Sequence, residues 1–283
     1  MIVTEQVEKL VAMALKEDVG DGDHSSLSCI SPEARGEMKL LVKQDGVLCG
    51  IDVAREVLRQ VDSSIQMEQF MQDGDEIHKG DIVFKLHGPA CSMLTAERNV
   101  LNFMQRMSGI ATMTREYVDL VKGTGVTLLD TRKTTPNMRI FEKYAVSVGG
   151  AQNHRFGLYD MMMLKDNHID FAGGIEKAID AANEYQKAHH LNLKIEIETR
   201  SLDDVKRVMA HGGVHRIMFD NFTPAQIVEG VKLVDHQYET EASGGIVKET
   251  LRDYAAAGVD FISVGAFTHH ISSLDLSLKT VIF

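Results

Sequence analysis

The chain has 283 residues, of which 44% are hydrophobic and 25% charged, and its formal net charge is −11. This length exceeds that of one typical domain, and the composition is that of a globular protein, which argues against collagen-like, disordered and membrane-embedded classes. The acidic balance also argues against a broad nucleic-acid-binding surface, so any anionic ligand must be held by a local basic pocket.

The cysteines and the amino-terminal residues indicate the compartment. Cys29, Cys49 and Cys91 are too widely spaced for a metal motif and odd in number for a disulfide framework, so we expect reduced thiols. Residues 1–15 carry charges within a helical apolar pattern, unlike a secretion signal, and no run of about 18 apolar residues occurs. We therefore expect a cytoplasmic protein without a membrane span.

Residues 1–110 are predicted to form a first domain of mixed helices and strands. A helix at the amino end is followed by a strand-like run at Glu37–Lys43, a helix at Asp52–Val61 and extended segments from Ile65 to Leu86, which turns interrupt. Long helical periodicity then covers Met93–Leu120, with Gly109 as a weak point.

From Val126 onward, strand-like runs alternate with helical patterns at the spacing of βα units. The runs are Val126–Asp130, Met161–Asp166, Leu193–Glu198, Arg216–Asp220 and Phe261–Gly265, with a sixth, polar run at Tyr238–Ala242 assigned from its position between helices. The helical patterns are Gly174–His189, Leu202–His211, Pro224–Val234 and Lys248–Ala257. This alternation predicts parallel strands, and six units fit a closed or nearly closed barrel better than an open sheet.

The residues that end these runs are strongly polar, and in a (β/α) barrel the active site lies at the carboxyl ends of the strands. The candidates are Asp130 to Pro136, Lys165 to His168, Glu196 to Glu198 and Asp220-Asn221, together with a Gly-rich turn that leads to His154 and Arg155. Residues 130–168 hold six Lys or Arg against four Asp or Glu, a surplus of two in an acidic chain. Each cation alone is equally well explained as a solvated loop charge, and their joint occurrence favours an anion pocket.

Glycines at two later strand ends suit phosphate. Ser243-Gly244-Gly245 and Gly265-Ala266 let backbone NH groups approach phosphate oxygens, and a helix expected to begin near Val247 would add a favourable dipole. A Gly-Gly pair also serves any tight βα turn, but phosphate sites commonly lie late in such barrels.

Glu198 and Asp220 end successive strands, where carboxylates can bind Mg²⁺ or substrate hydroxyls. The alternative is that they only pair with nearby cations. Glu196 faces the same side of its strand, and we favour Glu198 because it is nearer the open end. The chain has no His-Glu-x-x-His motif and no Cys/His cluster, which argues against zinc.

Several of these segments together resemble the quinolinate phosphoribosyltransferase family. The resemblance begins with Asp130 to Pro136 (DTRKTTP) and continues through Glu142 to Val146, Gly149-Gly150, Asn153 to Arg155 and Lys165 to His168 in matching order and spacing. It extends to Thr95 to Asn99, Ser108 to Thr112, Asp220-Asn221, Ser243 to Gly245 and Ser263 to Ala266, so it covers most of the chain.

The resemblance implies an amino-terminal α/β sandwich domain at 1–110, an open (β/α) barrel of type II phosphoribosyltransferases at 111–270, and a segment at 271–283 that packs back on the first domain. It implies a homodimer or higher oligomer with shared active sites. It also implies the reaction of quinolinate with phosphoribosyl pyrophosphate, with Mg²⁺, to nicotinate mononucleotide, pyrophosphate and CO₂ in de novo NAD synthesis.

The resemblance further implies roles for individual residues. Those expected around the quinolinate carboxylates and the phosphates are Arg132, His154, Arg155, Lys165 and His168, with Lys133 nearby and Arg98 supplied by the partner subunit. Glu198 and Asp220 are expected to bind the ribose hydroxyls and the metal. Ser243, Gly244 and Gly265 are expected to hold the 5-phosphate. Lys133 and Lys165 are candidates for protonating the carbanion left by CO₂.

Three positions depart from the family pattern: Asn137 and Ala151 stand where glycine is common, and His24-Ser25-Ser26 replaces a Val-Thr-Ser-like sequence. None removes a charged residue that the chemistry needs. Two other readings stay open: a related transferase for another base, and a phosphate-binding barrel without catalysis.

Overall fold

The computed structural model describes residues 3–281, so Met1, Ile2, Ile282 and Phe283, which fall within the predicted terminal segments, lie outside the described residues. The chain divides into two compact units, and neither is one continuous segment. The first unit contains Met1–Arg115, Thr134–Gly150 and His270–Phe283, and the second contains Glu116–Lys133 and Ala151–His269.

The first unit is built around an antiparallel sheet. Its helices are α1 (Glu5–Val19), α2 (His24–Cys29), α3 (Ile51–Val61), α4 (Ala90–Leu120, which continues into the second unit) and α5 (Arg139–Gly149). Its strands are β1 (Arg35–Val42), β2 (Gly46–Val47), β3 (Gln66–Gln69), β4 (Glu76–Ile77), β5 (Ile82–Pro89) and β12 (Leu276–Thr280). The main sheet has the order β12-β1-β5-β3, and β2 pairs with β4. Along β1 the residues Met38, Leu40 and Val42 alternate into the core, as expected for a strand with one buried face.

The segment 134–150 belongs to the first unit although the prediction placed it in a second domain that begins at residue 111. Specific polar contacts explain this: the Arg106 guanidinium lies 2.6 Å from the carboxylate of Glu142, and the Tyr144 hydroxyl donates to Asp73 at 2.9 Å. Asn137, one of the departures from the family pattern, has a φ of 65°, a left-handed conformation that Asn adopts more readily than most residues.

Helix α4 passes through Gly109 without a break, so this residue is not a weak point. A Cβ atom here would collide with the carbonyl oxygen of Ser272. The neighbouring backbone is fixed by the Leu274 N–H, which donates to the Gln105 carbonyl at 2.9 Å. Glycine is therefore needed for close approach of the segment before β12, a requirement that outweighs its poor helix propensity.

The second unit contains six parallel strands. They are β6 (Thr127–Leu129), β7 (Met162–Leu164), β8 (Ile195–Thr199), β9 (Arg216–Asp220), β10 (Glu239–Ser243) and β11 (Phe261–Ser263). The helices are α6 (Asp166–Ala172), α7 (Ile175–Ala188), α8 (Leu202–His211), α9 (Pro224–Val234), α10 (Leu251–Ala256) and α11 (Ala266–His269). The order β6-β11-β10-β9-β8-β7 is that of a barrel with an opening between β6 and β7, which confirms the predicted open (β/α) barrel.

A single parallel bridge extends β6 at this opening. The Gln152 N–H donates to the Leu128 carbonyl at 2.9 Å, and the Asp130 N–H donates to the Gln152 carbonyl at 3.1 Å. These bonds set the chain direction just before His154.

Local capping explains why the predicted helices α8 and α9 begin where they do. Ser201 accepts the Asp204 N–H, and Thr223 and Gln226 form a capping box with Pro224 in the first turn. Within residues 3–281, none of the helices combines the length and apolar character needed to cross a bilayer. All three cysteines are free thiols.

Candidate active site

Lys165 and Glu198 join the ends of β7 and β8. The Lys165 Nζ lies 3.0 Å from Glu198 Oε1, and Glu198 Oε2 accepts the Asp166 N–H at 3.1 Å. The Glu198 side chain is 9% exposed and that of Lys165 is 43% exposed. The carboxylate is thus held from two sides, while the ammonium reaches solvent and can meet a ligand.

Asp220 is the carboxylate at the next strand end. Burial raises its pKa above the ordinary value, and the nearby charge of Glu198 raises it further. Asn221, with a φ of 57°, donates from Nδ2 to Asp220 at 2.8 Å and from its backbone to the Ser243 carbonyl at 2.8 Å. Asn221 thus links the ends of β9 and β10, a role that the sequence motif did not indicate.

Two of the predicted phosphate-binding glycines occupy places where a side chain does not fit. Gly244 has a φ of 94°, and a Cβ atom there would collide with the side chain of Asn221. A Cβ atom on Gly265 would lie 2.8 Å from His269 Nε2 and 3.3 Å from Lys133 Cδ. Neighbouring side chains therefore pack so closely against the backbone at both strand ends that only glycine fits there.

The helix expected to begin near Val247 was wrong, because α10 begins at Leu251. The intervening residues form a turn closed by the Thr250 N–H, which donates to the Val247 carbonyl at 3.1 Å. Ser243, Gly244 and Gly245 therefore offer backbone NH groups without a helix terminus directly behind them.

Lys133 follows β6 and is exposed. Its carbonyl accepts the Thr268 hydroxyl at 2.8 Å, and its N–H donates to Thr131 Oγ1 at 3.0 Å. The backbone is thus held by two hydrogen bonds, and the side chain, whose Cδ atom lies beside Gly265, is the part that can adapt.

The positive charges of Arg132 and Arg155 lie within electrostatic range of each other. Burial lowers the pKa of Arg155 below its ordinary value and the positive charge of Arg132 lowers it further, against the opposing charges of Glu196, Asp160 and Glu198. Arg155 is largely buried and donates from Nη1 to the Met161 carbonyl at 3.2 Å. Two like charges held together favour a bound dianion.

His154 is buried against two carboxylates. Its Nε2 atom lies 3.0 Å from Glu196 and 3.5 Å from Glu241, while its backbone N–H donates to Asp130 at 2.8 Å. Burial alone would lower the pKa of His154, but the two carboxylates outweigh burial and raise it to about 9. Burial and the charge of Glu241 raise the pKa of Glu196 to about 7.

Arg216 completes this buried cluster. Its Nη1 atom lies 2.7 Å from Glu241, and its other donors reach Glu239 at 3.0 and 3.1 Å. Sequence reasoning passed over Arg216 and Glu241. The signal was present in the polar run 239–243, where Glu239, Glu241 and Ser243 alternate onto one face.

Two residues predicted to bind substrate, His168 and Arg98, lie outside this buried cluster. His168 is exposed and turns back to accept the Lys165 N–H on Nδ1 at 3.0 Å. Arg98 is exposed on α4 in the first unit. The charge surplus is also smaller than the sequence count, since Arg139 and Lys143 belong to the first unit with Glu142.

Comparison with known proteins assigns the family. Models of the amino-terminal and carboxy-terminal domains of quinolinate phosphoribosyl transferase match residues 23–108 and 110–279. The chain belongs to the quinolinate phosphoribosyltransferase family. It is 41% identical to quinolinate phosphoribosyltransferase (decarboxylating) 1b of Nicotiana tabacum over 98% of this chain and 83% of that protein.

Bacterial members of the quinolinate phosphoribosyltransferase family are equally similar. The probable nicotinate-nucleotide pyrophosphorylase (carboxylating) of Bacillus subtilis is 42% identical over 98% of this chain and 94% of that protein. The crystal structure of NadC from Streptococcus pyogenes superposes with a TM-score of 0.94 at 38% identity and covers 100% of both chains. This match confirms the predicted pairing of an amino-terminal sheet domain with an open (β/α) barrel.

Proposed function

We propose that this chain transfers the phosphoribosyl group from phosphoribosyl pyrophosphate to quinolinate and releases pyrophosphate and CO₂, forming nicotinate mononucleotide for de novo NAD synthesis. The observation that carries the proposal is the set of charges at the carboxyl ends of the parallel strands. Arg132 and Arg155 lie together, and Lys165 is paired with Glu198 at a neighbouring strand end. Quinolinate is a dianion, and its cosubstrate carries several phosphate charges.

The residues divide the binding between them. Arg132, Arg155 and Lys165, with His168, bind the quinolinate carboxylates, because guanidinium groups match carboxylate geometry. His154 supports this set by holding the backbone of Arg155. Ser243, Gly244 and Gly265 bind the 5-phosphate through backbone NH groups, and Lys133 beside Gly265 adds a positive charge. Glu198 and Asp220 accept hydrogen bonds from the ribose hydroxyls.

The same two carboxylates fit a magnesium ion. Burial and, after it, the charge of Glu198 raise the pKa of Asp220, and a divalent cation would relieve the repulsion between the two carboxylates. Mg²⁺ is commonly held by one or two carboxylates together with substrate phosphates and water. When bound, it would neutralise charge on the departing pyrophosphate.

The chemistry then needs little beyond position and charge. The quinolinate ring nitrogen attacks the ribose C1 atom as the bond from C1 to the pyrophosphate oxygen breaks, and that oxygen keeps the electron pair. Lys133 and Lys165 stabilise the leaving charge. The bond from the ring to the adjacent carboxylate then breaks, CO₂ leaves, and the positive ring nitrogen stabilises the electron pair until Lys133 or Lys165 supplies a proton.

The proposal includes a homodimer in which Arg98 of one subunit completes the site of the other, and a cytoplasmic location. Arg98 supports the first point because it is exposed on the first unit, where it is available to a second copy.

The test is release of CO₂ and nicotinate mononucleotide from purified protein given quinolinate, phosphoribosyl pyrophosphate and Mg²⁺. Nicotinate serves as the control base. Arg132→Ala and Lys165→Ala are expected to abolish turnover while the fold is retained. Arg200 is exposed, and Arg200→Ala is the matched control, which is expected to retain turnover. If the protein turns over only another base, it is still a phosphoribosyltransferase but quinolinate is not its substrate. If it turns over no base, a phosphate-binding protein without catalysis becomes the better interpretation.

A further inference from the structure

Glu196 lies on β8 two residues before Glu198, and its side chain is fully buried. The reaction proposed above assigns it no role. It faces the same side of the strand as Glu198. A buried carboxylate is costly unless charged or hydrogen-bonding partners compensate it, so its surroundings indicate what it does.

The nearest partner of Glu196 is the His154 imidazole, with Nε2 at 3.0 Å. On the other side of that ring, Nδ1 accepts the Arg155 N–H at 2.7 Å. Because Nδ1 accepts this backbone N–H it carries no proton, so the ring stays neutral although the neighbouring carboxylates raise its pKa, and its one proton lies on Nε2, 3.0 Å from Glu196. The two contacts together define one tautomer and one ring orientation.

These contacts form a continuous chain from Glu196 to Arg155. The carboxylate faces the imidazole, the imidazole holds the backbone of Arg155, and the Arg155 side chain donates to the Met161 carbonyl at 3.2 Å. Asp130 fixes the other end of the segment by accepting the His154 N–H at 2.8 Å.

The second buried carboxylate has a different partner. Glu241 Oε2 lies 2.7 Å from Arg216 and 3.5 Å from His154, so its primary ion pair is with the arginine. The charge of Glu241 is therefore matched by Arg216, and Glu196 is left as the main carboxylate that orients the imidazole.

We propose that Glu196 is a positioning residue, which keeps the proton of His154 on Nε2 and thereby fixes the Arg155 backbone for quinolinate binding. The proposal rests on the proposed function for its kinetic consequence, but the tautomer of His154 does not depend on that function. Loss of a carboxylate that orients a functional histidine commonly lowers affinity or activity ten- to a hundredfold. A guanidinium shifted by about 1 Å costs a similar factor.

The test compares two variants of the full-length protein with one control. Glu196→Leu removes the acceptor and the charge, whereas Glu196→Gln keeps an acceptor oxygen and removes only the charge. Glu239→Gln is the control. It makes the same chemical change as Glu196→Gln, but Glu239 lies on β10 and contacts Arg216 and Lys194. ¹⁵N NMR of labelled histidine reports the tautomer of His154, assigned by comparison with His154→Gln, and steady-state kinetics report KM for each substrate.

The expected result is that wild type, Glu196→Gln and Glu239→Gln keep the Nε2–H tautomer, and that Glu196→Leu loses it. In Glu196→Leu the KM for quinolinate rises about ten- to a hundredfold, and the KM for phosphoribosyl pyrophosphate changes less than about twofold. Glu196→Gln recovers most of the lost affinity. Should Glu196→Leu not yield folded protein by circular dichroism, Glu196→Met takes its place.

Two results would overturn the proposal. One is an unchanged His154 tautomer and an unchanged quinolinate KM in Glu196→Leu. The other is an equal loss in the glutamine and leucine variants, which would mean that charge alone matters. If the wild type itself turns over no base, the proposed function fails, and the NMR comparison still decides whether Glu196 positions His154.

Discussion

Replacing Arg216 by methionine would leave Glu241 buried without its main cation. The Glu241 side chain is fully buried and that of Arg216 is 10% exposed, so solvent screens the pair little. Removing one partner of such a pair costs about 3–5 kcal/mol. The loss of Arg216 from the face of Phe261, whose ring centre is 3.9 Å away, adds about 0.5–1 kcal/mol. At about 2–4 °C for each kcal/mol, the midpoint of thermal unfolding should fall by about 7–24 °C.

The dependence of this loss on pH checks its cause. Burial by itself raises the pKa of Glu241, but the hydrogen bond and charge of His154 and the charge of Arg216 outweigh it and hold the pKa below the ordinary value. In the wild type this depressed pKa stabilises the fold above the ordinary glutamate pKa, and the contribution is lost as pH falls. In Arg216→Met burial prevails and the pKa rises, so ionised Glu241 destabilises the fold at higher pH. The deficit should therefore be larger at pH 8 than at pH 5.5, by at most about 1.4 kcal/mol for each pH unit.

Thermal unfolding at both pH values is the assay, and Arg216→Met with Glu241→Leu is the control that removes both charges. The double variant should recover most of the lost stability, because replacing both partners avoids a lone buried charge. A single variant that unfolds within about 2 °C of the wild type at pH 8 would refute the reasoning.

The remaining predictions concern two glycines. Gly109→Ala should destabilise the protein by about 1–3 kcal/mol although alanine favours helices, because its Cβ atom meets the Ser272 carbonyl. Urea unfolding measures this loss, and Gly36→Ala is the control because a Cβ atom there meets open space. A Gly109→Ala variant more stable than the wild type would contradict the prediction. Gly244→Ala should raise the KM for phosphoribosyl pyrophosphate about tenfold or more. The φ of 94° at Gly244 is strained for alanine, and the new Cβ atom would push the Asn221 side chain away from Asp220. An unchanged KM would show that this turn does not shape the phosphate site.

The fold of the second unit was predictable because its elements are periodic and capped. Helices Leu202–His211 and Pro224–Val234 and strand Arg216–Asp220 match the prediction residue for residue. The polar strand at 239–243 was harder to predict, because Glu239 and Glu241 point toward Arg216, a partner on another strand. The alternation along 239–243 shows which residues share a face, but it does not show that their partner lies on β9.

The site was predictable where the position of a residue at a strand end is enough, as for Lys165, Glu198 and Asp220. It was not predictable where a residue acts through a neighbour. The φ of 57° at Asn221 directs its side chain to Asp220. Glu196 contacts His154, which lies on the segment that follows the bridge between Gln152 and β6, far from β8 in the sequence. The reassignment of 134–150 to the first unit likewise depends on a distant contact, that of Arg106 with Glu142.

The position of β12 has a consequence for synthesis of the chain. β12 lies at the edge of the first sheet and pairs with β1 from Met38–Thr280 to Val42–Leu276, about 240 residues apart in the order of translation. Until β12 leaves the ribosome, β1 presents an unpaired edge, which is a template for pairing with other chains. The unit that is translated first is therefore the last to be completed, and chaperones that cover exposed strand edges are expected to act on this nascent chain while the barrel is still emerging.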